Sequence, residues 1–315
     1  MPQGITDLYT QCLIRLRDAP IEQSRNGRVR TLQQPLLVTV ERPWERLLLC
    51  PQRKANHYFH LMETIWMFAG LRQVGWLAEF NSGISNYAEP NGDINGAYGY
   101  RWRNHFFRDQ IHGVVKELER DPDSRQAVIA MYDPRFDHQH RLKDRPCNTH
   151  IYFRRVREKL EMTVCNRSND LVWGMAGANA VHMTMLHQLI AEALAFPMGR
   201  YHVMTNNLHI YEPHWPLMEK LVGPDHYKGS SAPATKILSK NVDLGEFLYE
   251  CEQFMKYTDE GTYQSRFLND IVVPMYQHYT CRLNGDLDTY DINETRDSDW
   301  RLFETSWREW NGKSD

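Results

Sequence analysis

Cys147 sits inside RPCNTHIYF (Arg145 to Phe153), behind a proline and just ahead of a half-polar run. A thiol becomes a useful nucleophile when a nearby cation favours the thiolate. This one has Arg145 two residues before it and Arg167 in NRSND a short distance on. Taken alone, Cys147 also suits a plainer reading as a small buried hydrophobe, because free cysteine is among the most buried residue types. Arginine forks onto phosphate oxygens, so a reactive thiol beside arginines suits a phosphorylated substrate. Arg167 by itself fits a solvated strand end equally well. His57 and His60 stand three apart, and His138, His140 and His150 cluster loosely. No cysteine or carboxylate completes a ligand set around either group, so no metal is expected.

Elements must carry these residues. HYFHLMETIWMFAGL (His57 to Leu71) places Phe59, Met62, Ile65, Trp66 and Ala69 at helical spacing, with Gly70 as the stop, and this helix carries Glu63. QAVIAMYD from Gln126 reads as a strand, and His150 to Ser168 as two strands about a turn near Arg157 to Lys159. Met183, Leu186, Leu189, Ile190, Ala193 and Leu194 keep the helical period in a long helix that Pro197 should end. Arg200 to Tyr211 follows as one further strand, and LQQP and Gly223 to Lys236 read as loops. Strands set between long helices, without regular βα alternation, predict an α+β fold with helices packed on a mixed or largely antiparallel sheet. Trp300, Phe303, Trp307 and Trp310 fit an amphipathic helix docking on the body.

Composition bounds the function classes. Hydrophobic residues at 42% and charged residues at 24% of 315 describe an ordinary globular chain, expected as one domain over 1–315. The formal net charge of −3 offers no basic surface for nucleic acid. No apolar run approaches the roughly 20 residues a membrane helix needs, and MPQGITDLYTQ has no signal-peptide pattern. A cytoplasmic location is expected, the host cytoplasm if the chain is phage-encoded. Cys12, Cys50, Cys147, Cys165, Cys251 and Cys281 stand singly with no CxxC pair, which indicates free thiols. There is no GxxxxGKS or GxxxxGKT, no GxSxG, no HExxH and no GxGxxG, so triphosphate, hydrolase and dinucleotide readings lose support.

Read together, ETIWMFAG, NGDINGAYGYRWR, DPDSRQ, RPCN, CNRSNDLVWG and NNLHIYEPH resemble, in order and spacing, the thymidylate synthase family, which includes the pyrimidine nucleotide hydroxymethylases. The resemblance covers residues 20 to about 215 and leaves 216–315 as a family-variable C-terminal part. It implies a homodimeric α+β fold whose sites borrow residues across a sheet interface, with 5,10-methylenetetrahydrofolate as co-substrate and no metal. By that resemblance Cys147 adds to C6 of the pyrimidine of a nucleoside 5′-monophosphate, and C5 thereby becomes nucleophilic toward the folate one-carbon unit. Glu63 shuttles protons through ordered water to pyrimidine and folate, Tyr98 stands near C5, and Asp170 holds the pterin. Arg25, Arg167 and Ser168 hold the phosphate with Arg125 from the partner subunit, and His209 and Tyr211 hold the sugar 3′ hydroxyl. Gln126 stands where the family carries a second arginine, which weakens the expected contact in trans.

Two departures fall where the family reads the base, and a third bears on the product. Four residues after Gly174, synthases have an asparagine for uracil and phage cytidylate hydroxymethylases an aspartate; this chain has Ala178, with Asn179 one place later, and Asn148 stands where synthases have histidine. A methyl group makes no hydrogen bond, so base reading passes to Asn179, Asn148 or a water. Loss of the uracil-reading asparagine favours cytosine, as dCMP or CMP. The region of the family's water-excluding tryptophan reads NSGISNYAEPNG, and the terminus SWREWNGKSD is polar. If water reaches the exocyclic methylene before hydride, the product is the 5-hydroxymethyl nucleotide. C5-hydroxymethylation is therefore the expected activity. A dUMP hydroxymethylase or a thymidylate synthase is the enzymatic alternative, the synthase being marked by dihydrofolate formation. A catalytically silent nucleotide-binding relative is the alternative from another class, against which the presence of Cys147, Glu63 and the arginines argues.

Overall fold

The computed structural model describes residues 1–315 apart from 51, 140, 221–233, 285–298, 301–302 and 304–315. Helix α1 (Ile5–Arg17) leads into a hairpin of β1 (Ile21–Ser24) and β2 (Gly27–Thr31), followed by β3 (Leu36–Val40) and α2 (His57–Phe68). After α3 (Tyr98–Arg103) and α4 (Gln110–Arg120) come β4 (Val128–Ala130), the short α5 (Pro134–Asp137), β5 (Asn148–Val156), β6 (Lys159–Asn166) and β7 (Asn169–Asp170). A π-helical segment, Leu171–Ala178, runs into α6 (Asn179–Ala193), and β8 (Met198–Thr205), β9 (Leu208–Tyr211), α7 (Trp215–Lys220), α8 (Leu244–Tyr257) and α9 (Val273–Leu283) follow.

Two sheets result, β3-β8-β6-β5-β4 and β1-β2-β9-β7. Both are antiparallel except at β6 with β8 and at β7 with β9, which run parallel, so the mixed α+β architecture agrees with the sequence pattern. In the larger sheet the register aligns Ile129, Ile151, Val164 and Val203 in one cross-strand row, all buried, beneath the helices. Its opposite face carries Leu37, Val128, Tyr152 and Met204, all exposed. One face is thus core and the other an open apolar surface.

Helix α2 has buried residues on every side except at Glu63, which marks a helix enclosed by others; α3, α6, α8 and α9 pack on it. Asn56 starts it, its side-chain oxygen accepting the Phe59 N–H at 3.0 Å. Gly70, at φ +69°, stops it in the left-handed conformation that glycine tolerates. The turn between β5 and β6 is two residues, Arg157 and Glu158, both at positive φ, the primed geometry whose twist suits a hairpin.

Two expectations change. Residues 200–211 form two strands in different sheets, because the Asn206 N–H donates to the Asn166 carbonyl while the Asn207 carbonyl accepts from Asn169. Pro197 does not itself end α6: the helix closes at Ala193, with Ala195 at φ +54° turning the chain first. Gly223 to Lys236 lies outside the described residues up to 233, and so do His140, Trp307 and Trp310. Trp300 and Phe303 are buried, Phe303 edge-on to His57 and Tyr58 at the start of α2. Among the described residues no helix is long and apolar enough to cross a membrane.

Candidate active site

Strand register brings Cys147 and Arg167 together. Asn148 pairs with Asn166 at the open end of the β5–β6 hairpin, so the residues just outside the pair face each other, and the Arg167 N–H donates to the Cys147 carbonyl at 2.9 Å. A bulge at Thr149 follows at once, a device that re-aims a strand end beside a site. The Arg167 guanidinium folds back over this segment, donating to the carbonyls of Pro146 at 3.0 Å and Arg145 at 3.1 Å.

Cys147 stands where two cavities adjoin. The first, about 590 Å³, is bordered by Arg25, Arg167, Ser168, His209 and Tyr211, with Lys143 and Arg145 adding charge. Arg25 comes from the β1–β2 turn, and His209 and Tyr211 sit two apart on β9 and so share a face. Asn207, just before β9, ties this wall together: its side-chain oxygen accepts from Ser168 at 3.3 Å and lies 2.9 Å from His209 Nδ1, and its amide nitrogen donates to Thr31.

The second cavity, about 550 Å³, is bordered by Glu63 from α2, Tyr98 from the start of α3, Asp170 from β7 and Ala178 and Asn179 at the head of α6. Tyr98 has its hydroxyl against the backbone of Cys147 and Asn148, and burial pushes that phenol far above its ordinary range. The loop before α3 is pinned to the Cys147 segment by the Gly96 N–H, 3.0 Å from Asp144 Oδ2. A Cβ at Gly96 would come within 2.3 Å of that oxygen, so the approach requires glycine. Asp170 caps the π-helical segment, accepting the Trp173 N–H at 2.6 Å. Its Oδ2 is buried and has no hydrogen-bond partner among the described residues. Burial raises the Asp170 carboxyl to about 6, against the pull of the Trp173 and Val172 N–H groups and Arg53. An unanswered acceptor on a cavity wall suits the N–H donors of a pterin, and the Arg53 guanidinium, 4.9 Å over the Trp173 ring, stands close by.

The resting state of Cys147 differs from expectation. Burial pushes the thiol above its ordinary range; Arg167 pulls it down, and Asp144 and Asp170 add to the rise. Arg145 gives no help, because its guanidinium turns away to the Gln139 carbonyl at 2.5 Å. Arg167 thus acts as foreseen, yet desolvation outweighs it, and the thiol is the favoured form without a bound substrate.

Two candidate residues border neither cavity. Asn148 is fully buried behind the site, its side-chain oxygen taken by the Asn166 amide. Arg125 is exposed, three residues before β4. Conversely, Arg53, Tyr87, Asp144, Trp173, Asn207 and His182 stand at the site although the motifs single out none of them. Trp173 and Asn207 do fall inside CNRSNDLVWG and NNLHIYEPH. Among the described residues no group of three or more His, Cys, Asp or Glu is placed to hold a metal.

The family model described as thymidylate synthase matches residues 37–267. The chain is 33% identical over 304 residues to a deoxyuridylate hydroxymethyltransferase of Pseudomonas phage M6, covering 91% of this chain and 86% of that one. It is 32% identical over 218 residues to a protein of the same name from Bacillus phage SP01, covering 65% and 57%. A third of that name, from Delftia phage PhiW-14, is 25% identical over 280 residues, covering 78% and 77%. Together with the cysteine between a cationic cavity and a carboxylate-lined one, these matches establish that the chain belongs to the thymidylate synthase family of one-carbon transferases.

Proposed function

We propose that this site hydroxymethylates C5 of a pyrimidine deoxynucleoside 5′-monophosphate, dUMP in the first instance, with 5,10-methylenetetrahydrofolate as one-carbon donor. The observation that carries the reading is the position of Cys147 between a cationic cavity, fitted to phosphate and sugar, and a second cavity bordered by Glu63, Asp170 and Asn179. Arg25, Arg167 and Ser168 would hold the phosphate, and His209 and Tyr211 the sugar hydroxyl. Bound there, the pyrimidine meets the Cys147 sulfur at C6. Addition of the thiolate saturates that carbon and makes C5 nucleophilic. Glu63 moves protons at the ring, and Tyr98 orders the face opposite. The folate supplies the one-carbon unit, and the unanswered Asp170 oxygen and Arg53 would hold it.

The absence of an asparagine at 178 favours cytosine, whereas the relatives are deoxyuridylate hydroxymethyltransferases and favour deoxyuridylate. Asn179 supports the second. A π-helical turn takes one residue more than an α-turn, and here it precedes α6 with a non-helical kink at Gly177, carrying Asn179 to the cavity wall. Its amide nitrogen donates to the Asn169 side chain at 3.5 Å, and Gly174 leaves room for both. Such an amide offers an N–H to uracil O4 and a carbonyl to N3–H. The dimer belongs to the same reading: the exposed apolar face of the larger sheet is a surface for a second copy, and exposed Arg125 would reach its partner's phosphate.

Incubated with dUMP and methylenetetrahydrofolate, the enzyme should consume nucleotide without the absorbance rise of dihydrofolate. A stoichiometric rise would make it a methylating synthase instead.

A further inference from the structure

Beside Glu63, three histidines from two helices form a chain to which the reading above gives no part. His57 Nε2 lies 3.2 Å from the Leu48 carbonyl oxygen. A carbonyl only accepts, so His57 carries its proton on Nε2 and its Nδ1 is a lone pair. His60 Nδ1, 3.1 Å away, must then be the donor. His60 is left with a lone pair on Nε2. Burial pushes His57 down to about 3 and His60 well below the ordinary imidazole range, which keeps one proton on each ring at neutral pH.

His60 borders the second cavity with Glu63 and His182. The His182 ring, on α6, stands edge-on to His60 with 6.5 Å between centroids and is 1% exposed. Its Nε2 is 3.1 Å from Glu63 Oε2. Beyond that contact, neither His182 nitrogen nor Glu63 Oε2 has a hydrogen-bond partner among the described residues. Native proteins answer buried polar atoms left without such partners with water or ligand.

The character of this corner follows from its atoms. The Glu63 carboxylate only accepts, and so does His60 Nε2. A water placed among them donates its protons toward the protein and turns an oxygen lone pair to the open cavity, which Cys147 also borders. That is the orientation of a nucleophile.

We propose that His182, with Glu63 and His60, positions the water that adds to the exocyclic methylene, and that His182 thereby sets the product; this rests on the hydroxymethylation reading. The water oxygen bonds the methylene carbon, and the methylene π pair moves into the ring as an enolate through C5, C4 and O4. The water proton passes to Glu63. The enolate then re-forms the C4 carbonyl and the C5–C6 double bond, and Cys147 leaves C6 as thiolate.

The test compares two readouts in the full-length wild type, His182→Leu and His182→Gln. Tritium release from dUMP labelled at C5 reports every step through loss of the C5 proton, and so reports a folded, Cys147-competent site. Hydroxymethyl product, measured by mass spectrometry with 2-mercaptoethanol present, reports capture by water against capture by thiol. In His182→Leu, tritium release should persist near the wild-type rate while hydroxymethyl product falls by about 10²-fold and thioether replaces it. His182→Gln, which keeps a donor and an acceptor, should restore hydroxymethyl product. Parallel loss of tritium release and product in His182→Leu, or unchanged hydroxymethyl product there, would overturn the proposal. A wild-type enzyme that adds no CH2O unit to any pyrimidine nucleotide would instead overturn the reading beneath it.

Discussion

Two polar clusters, Arg101 with Asp137 between α3 and α5 and Glu63 with His182 between α2 and α6, are finished differently. Arg101 is fully buried, yet its guanidinium donates to both oxygens of Asp137 at 2.6 and 2.7 Å, to the Met131 carbonyl and to the Asn95 carbonyl. Asp137 also accepts the Asp133 N–H. His182 is buried and Glu63 is 12% exposed, and beyond their 3.1 Å contact the facing atoms bond nothing among the described residues. The first cluster closes on itself and joins α3 to α5. The second is left open toward a cavity, and an open buried polar group signals chemistry that arrives with the ligand.

That contrast predicts opposite responses to mutation. Cys147→Ala should abolish product to the detection limit while thermal unfolding stays near wild type, since the side chain is only partly buried. Glu63→Gln should lower kcat by about 10²–10⁴-fold, the range for a lost proton-transfer group, again without loss of stability. Asp137→Ala should do the reverse. Removing one partner strands the Arg101 charge and costs about 3–5 kcal/mol, read as a lower denaturation midpoint, while folded protein keeps its turnover.

A smaller effect is expected at Asp170. Because its carboxyl is raised to about 6 in the folded protein, the folded state loses stability as pH rises from the unfolded value of about 3.9 toward 6. Asp170→Asn should therefore unfold at a higher temperature at pH 7, by about 1–3 kcal/mol at most; the advantage should fade below about pH 4, and the KM for folate should rise. Smallest is the resting thiol: alkylation of Cys147 without nucleotide should rise with pH to a midpoint above the ordinary cysteine value of about 8.5. A midpoint below that value would mean that Arg167 outweighs burial.

How much of this was legible in the sequence depends on the range of the interaction. The helix carrying Glu63 could be read because its apolar spacing is local and its stop is a glycine at φ +69°. The facing of Cys147 and Arg167 was suggested by motif and fixed by hairpin register, also local. The split of 200–211 was not legible, because Asn206 and Asn207 are turned by backbone groups at 166 and 169. His182 lies in an apolar helical run and reads as core; only its position opposite Glu63 gives it a role. The upward shift of the Cys147 thiol could not be read either, since burial by segments distant in sequence decides it.

The most direct measurement is the mass of the nucleotide after incubation with methylenetetrahydrofolate, run separately with dUMP, UMP, dCMP and CMP and with Cys147→Ala as control. Hydroxymethylation predicts a gain of one CH2O unit, largest with dUMP and absent in the control. A gain of one CH2 unit, or no gain with any of the four, would contradict it.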